Sequence, residues 1–121
     1  MLPQVEVFPK TARLTKRSEF LDLFRKGRKV HTAHFVFFSK ARDSGESRLG
    51  VTVSAKVGNA VVRNRLKRLL REFFRRHRRT LFSSRDVVIV AKKGAGNLSW
   101  VEVCEELETL LIHRSVKQKR E

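Results

Sequence analysis

One stretch, Lys56 to Arg79, constrains this 121-residue chain more than any other: it holds 10 of the 28 Lys and Arg residues and a single carboxylate, Glu72. Gly58-Asn59 supplies a turn and an N-cap, because the Asn59 side chain can accept from the free N–H groups of a first helical turn. On a helical wheel, Val62, Leu66, Leu69, Leu70, Phe73, Phe74 and His77 fall on one arc of about 140°. Asn64, Arg65, Lys67, Arg68, Arg71, Arg75, Arg76, Arg78 and Arg79 share the opposite arc of about 180°, while Arg63 lies at the apolar edge in the first turn. Such a helix packs by one side and displays cations on the other. Like charges four residues apart destabilise a helix by roughly 0.2–0.5 kcal/mol per pair, so stability alone does not account for the pattern. Arg forks grip phosphate oxygens bidentately, which makes a polyanion the natural occupant; a merely solvated face suits mixed charges better than a single sign.

The composition agrees. A formal charge of +16 and a pI near 11.4 point to a nucleic acid or an anionic surface as partner. The length suits one domain over residues 1–121. Residues 1–12, with Pro3 and Pro9, read as an irregular lead, and 115–121 as a frayed tail. No run of about 20 apolar residues could span a bilayer, and the N-terminus lacks the pattern of a secretory signal. With one cysteine, Cys104, neither an intramolecular disulfide nor a thiolate metal cluster can form. A cytoplasmic location is the expectation.

Along the chain, residues 17–26 predict a short helix ended by Gly27, with Phe20, Leu23 and Phe24 on one side. Those three serve either as core or, for the two Phe, as a stacking surface for bases. Residues 28–41 read as extended, and Phe35-Val36-Phe37-Phe38 is apolar on both faces. The turn signal at 43–47 predicts a hairpin into a strand over 48–54. That strand has Leu49, Val51 and Val53 on one side and Gly50, Thr52 and Ser54 on the other, where small residues suit close approach or tight packing. Ser83-Ser84-Arg85 reads as a loop, 86–91 as a β-branched buried strand, and 92–97 as a flexible loop without P-loop spacing. Ser99 and Glu102 spell a capping box and Leu98 with Val103 a hydrophobic staple. The helix they open would bury Trp100, Val103, Cys104, Leu107, Leu110 and Leu111, with Glu102, Glu105, Glu106 and Glu108 facing away. Cys104 then reads as an inert core thiol. His31, His34, His77 and His113 lack zinc-ligand spacing, no serine or cysteine has a nucleophile setting, and the carboxylates form no two-metal pair near the basic stretch. The chain reads as a binder.

Residues 57–73, with Arg63-Asn64-Arg65 at their centre, closely resemble the signature of the bacterial ribonuclease P protein component family. Arg13 to Phe20 with Phe24 and Gly27, Phe35–Phe38, Arg48–Val51 and Asp86–Ala91 follow in that family's order, so the resemblance covers roughly residues 11–113. It implies an α+β two-layer sandwich, αβββαβα, with a four-stranded sheet and a left-handed βαβ crossover, against the right-handed crossover that general topology predicts. It implies an accessory subunit whose large catalytic RNA partner uses Mg²⁺, bound mainly by that RNA, to remove the 5′ leader from precursor tRNA. On this resemblance Lys56, Asn59, Arg63, Asn64, Arg65, Lys67, Arg68 and Arg71 meet the RNA subunit, and Phe20, Phe24 and Phe38 line a leader cleft. At Phe38 the family often has Tyr. No catalytic residue, organic cofactor, membrane or obligate protein partner is implied. The rival readings are a general RNA-packaging protein and membrane-surface binding by the basic helix.

Overall fold

The computed structural model describes residues 12–43, 45–77 and 84–109. The expectations for most of the lead, for the tail, and for Ser83, Arg78, Arg79, Leu110, Leu111 and His113 lie outside the described residues. The elements are α1 (Arg17–Lys26), β1 (Arg28–His31), β2 (Phe35–Ala41), β3 (Arg48–Thr52), α2 (Ala60–His77), β4 (Arg85–Ala91), a 3₁₀ turn (Ala95–Asn97) and α3, helical over 100–109.

The sheet order is β1-β2-β4-β3; β1 and β4 run antiparallel to β2, and β3 runs parallel to β4. The helix α2 is therefore the crossover between two neighbouring parallel strands. This corrects the expected hairpin after β2: β3 does not pair with β2, because β4 lies between them. The extended run 28–41 instead folds on itself, with Thr32 N–H donating to the Phe35 carbonyl at 2.8 Å. The reason lies in β4. Val87, Val88 and Ile89 are all buried, so this strand needs cover on both faces and partners on both edges, and only the middle of the sheet supplies them.

Strand alternation divides the core in two. Phe35, Phe37, Leu49, Val87 and Ile89 meet Leu66, Leu70, Phe73 and Phe74 of α2 and Val103 and Leu107 of α3. On the other face, Phe38 and Val88 meet Leu14 and Leu23, with Phe20, Val36 and Val90 packed at the margin. The helical layer thus covers one face, and α1 covers part of the other. The ambiguity of Phe35–Phe38 resolves because both faces are occupied.

Two glycines are fixed by close approach. Gly27 caps α1 through its N–H to the Leu23 carbonyl, at 2.8 Å with ordinary negative φ, and a Cβ there would stand 2.5 Å from that same oxygen. At Gly50 a Cβ would stand 2.6 Å from Cζ of Phe20. The small side of β3 is thus where the Phe20 ring rests on the sheet.

Caps read from sequence take their expected form. Asn59 Oδ1 accepts from the Val62 N–H at 3.0 Å. Ser99 N–H donates to Glu102 at 2.8 Å, and Glu102 N–H donates to Ser99 Oγ at 3.2 Å. The run 92–97 is less free than expected: Ala95 is buried, and Gly96 sits where a Cβ would be 2.8 Å from the Val57 carbonyl.

Glu106 is a further correction. It does not face away with its neighbours; its carboxylate accepts from the Thr32 hydroxyl, from the His34 N–H at 2.6 Å, and from His34 Nδ1 at 2.8 Å. Helical spacing places it beside Glu102 and Glu105, but the β1–β2 turn reaches across to it. Burial favours the protonated acid, yet the Thr32 and His34 hydrogen bonds outweigh it and hold the carboxyl below its ordinary range.

Candidate nucleic-acid interface

The cationic arc of α2 is not uniform once folded. On the flank toward α3, Arg65 Nη2 donates to the Leu98 carbonyl at 2.7 Å, and the Arg76 guanidinium lies 5.3 Å from the centre of the Trp100 ring. Glu72 accepts from Arg75 at 2.6 Å and from Arg76 at 2.7 Å. Arg75 and then, after the opposing effect of burial, Arg76 pull its carboxyl down to about 2. The one acid of the helix thus engages two guanidiniums of its own turn, spaced i,i+3 and i,i+4.

The other flank opens as a groove of about 430 Å³ lined by Arg13, Asn64, Lys67, Arg68, Arg71, Glu72 and Arg75. Arg13 was not among the residues singled out from sequence. It precedes α1 and bridges in parallel to Leu49, which carries it beside α2; an isolated Arg ahead of a predicted helix gives no signal of this. Partial burial and then the Arg13 charge push the Arg71 guanidinium below its ordinary value. Several cations along one groove raise the local potential and favour a phosphate there. Among the described residues, Lys67, Arg68 and Arg71 make no carboxylate ion pair.

The remaining sequence-picked residues at the start of α2 differ in setting. Lys56 and Asn64 are exposed, Asn59 spends its side-chain oxygen on the cap, and Arg63 is half-buried with an Nε that has no partner among the described residues.

On the opposite face of the sheet, Phe20, Phe24 and Phe38 come together. Phe24 and Phe38 meet edge to face at 4.9 Å between centroids, and Phe20 and Phe24 at 6.5 Å. Lys29 Nζ sits 5.8 Å from the Phe38 centroid. Of the three α1 residues weighed as core, Leu23 is buried, Phe20 is half-buried and Phe24 is 40% exposed. Leu23 anchors the helix while the Phe24 ring stays partly exposed against Phe38, with Lys29 at the edge of the Phe38 ring. Two ion-pair sets hold α1 to this face of the sheet: Asp22 with Lys40 at 2.5 Å, and Glu19 with Arg48 at 3.0 Å, Arg48 also gripping Asp86 through two bonds.

His31 is exposed, and the His77 ring stacks on Phe73 at 4.1 Å. Burial pushes the Cys104 thiol up, away from the reactive thiolate. No group of three or more His, Cys, Asp or Glu among the described residues could hold a metal ion. The described helices include none long and apolar enough to cross a membrane.

Comparison with known proteins matches residues 8–114 to the Ribonuclease P family model. The chain is 46% identical over 103 residues to the ribonuclease P protein component of Desulforapulum autotrophicum, covering 85% of this chain and 88% of that one. It is 49% identical over 100 residues to that of Geobacter sp. strain M21, covering 83% and 85%. Among solved structures, the RNase P protein of Staphylococcus aureus superposes with a TM-score of 0.79 at 31% identity, over 87% of this chain and 96% of that one. The RNase P protein of Thermotoga maritima does so with a TM-score of 0.74 at 34% identity, over 82% and 94%. The family model, the relatives and the solved structures agree on one conclusion: the chain belongs to the ribonuclease P protein component family.

Proposed function

We propose that the protein is the RNA-binding subunit of a ribonuclease P ribonucleoprotein, which assists a catalytic RNA in removing the 5′ leader of precursor tRNA. The observation that carries this reading is the groove along α2, where Lys67, Arg68 and Arg71 stand beside Arg13 with one acid, Glu72, turned to Arg75 and Arg76. In this reading Lys56, Asn59, Arg63, Asn64, Arg65, Lys67, Arg68 and Arg71 face the catalytic RNA, and Phe20, Phe24 and Phe38 receive the leader. Arg65 also braces the start of α3 through the Leu98 carbonyl.

The protein's part is positional and electrostatic. Its cations offset the repulsion between two polyanions, and its aromatic rings hold the single-stranded leader by stacking. In this reading Mg²⁺ would be held mainly by the RNA partner, where it would supply an activated water for hydrolysis.

Reconstitution tests this. Purified protein alone should leave precursor tRNA intact, and adding it to the cognate RNA should restore leader removal at low Mg²⁺. Robust cleavage by the protein alone would overturn the reading. A precursor should compete better than mature tRNA; equal competition would favour a general RNA-packaging protein.

A further inference from the structure

Away from the α2 groove, one corner of the sheet holds cations that no described acid neutralises. Arg28 opens β1 and lies directly opposite Ser39 of β2, while Ala41, two residues on, lies opposite Arg85 of β4. Strand alternation puts Arg28, Ser39 and Arg85 on one side of the sheet as direct and diagonal neighbours. The Ser39 residue is 2% exposed, and its hydroxyl has no partner among the described residues. The same holds for Nε of Arg85, although the residue as a whole is half-buried. Asp86 cannot help, because it points to the other face, where Arg48 and Arg42 hold it. Burial and then the nearby Arg28 charge push the Arg85 guanidinium below its ordinary value.

Unsatisfied buried donors and two adjacent like charges are features that folds normally avoid, and each needs a reason. The geometry points to a phosphoryl-oxyanion site in which Arg28 and Arg85 grip the oxygens and the Ser39 hydroxyl donates a further hydrogen bond. Guanidinium forks match a phosphate's oxygens, and both arginines are reachable from solvent at half burial. The phosphate can come from an RNA backbone or from free inorganic phosphate. The first source rests on the RNA-binding reading above, and the second does not.

Two arms separate them. In the first, inorganic phosphate is titrated into the full chain while the arginine Nε–H signals are followed by NMR. The Arg85 signal should move saturably, and Ser39→Ala or Arg28→Gln should weaken that response several-fold. Arg85→Lys keeps the charge without the Nε donor and should weaken the response at Arg28. An Arg85 signal that ignores phosphate, or whose response persists undiminished in Arg28→Gln, would overturn the site. In the second arm, binding to the catalytic RNA is measured across salt concentrations. Arg28→Gln with Arg85→Gln should reduce the slope of log K against log salt by about 0.7–0.9, one phosphate's share. Should that pair fail to fold, Arg28→Gln with Arg85→Lys replaces it. A phosphate response with an unchanged RNA slope supports the site and assigns it to free phosphate. Wild-type protein that binds the RNA, with neither response present, overturns the site and leaves the RNA reading intact. Wild-type protein that does not bind the RNA fails that reading while the phosphate arm still decides the site.

Discussion

Replacing Glu106 with Ala offers a direct measure of how the β1–β2 turn is held to α3. The carboxylate accepts three hydrogen bonds, from the Thr32 hydroxyl, the His34 N–H and His34 Nδ1, and its side chain is 15% exposed. A hydrogen bond to a charged group contributes roughly 1.5–3 kcal/mol. Three that share one carboxylate, in a partly solvated place, should sum to about 2–4 kcal/mol rather than to the full product. Against a total of about 5–15 kcal/mol that is a large fraction, and for a domain of this size it lowers Tm by about 6–15 °C. The pH dependence has a definite sign. The folded carboxyl lies below its ordinary range, so its contribution is complete above the unfolded value of about 4.3 and disappears as pH falls through the folded value. Urea melts at pH 7 and pH 3 should therefore show a large deficit for Glu106→Ala at neutral pH and a much smaller one in acid. A deficit below about 0.5 kcal/mol at pH 7, or one equal at both pH values, would refute the staple.

Three further outcomes follow from the site. Gly50→Ala places a methyl group 2.6 Å from Phe20 Cζ, and such overpacking should cost about 1–3 kcal/mol and weaken precursor tRNA binding more than mature tRNA binding; competition binding at a temperature where the fold is intact checks both. Phe20→Ala should lower precursor affinity by about 1–3 kcal/mol, the contribution of one stacked base, and equal loss for mature tRNA would return Phe20 to a purely packing role. Glu72→Gln should remove the carboxylate that Arg76 pairs with and steepen the salt dependence of RNA binding, whereas Arg68→Ala should flatten it by about 0.7–0.9. Because the Glu72 carboxyl is held down to about 2, the Glu72→Gln effect should be constant from pH 8 to 5.

Much of this protein is written locally. The alternation of apolar and cationic residues along 60–77 determines α2, its packing side and its charge, because helix periodicity needs no information from elsewhere in the chain. Asn59 and the Ser99–Glu102 pair cap their helices through neighbours three residues away, and those bonds form as the spacing requires. The run 86–91 announces a buried strand by its β-branched content. The cations along α2 that line the groove share one side of the helix for the same reason. Tertiary structure alone decided the rest, because it concerns residues that meet across long separations. Strand order is one case: a turn signal after β2 is equally consistent with a hairpin, and only the need of β4 for cover on both faces and partners on both edges places it centrally. Glu106 looks like its solvent-facing neighbours until Thr32 and His34 reach it, and Arg65 looks like its neighbouring cations until Leu98 accepts from it. Arg13 joins the groove only because its backbone bridges Leu49, and Phe24 stays exposed only because its neighbour Leu23 takes the buried position. Periodicity tells which residues share a side of an element, and packing between distant elements decides what that side meets.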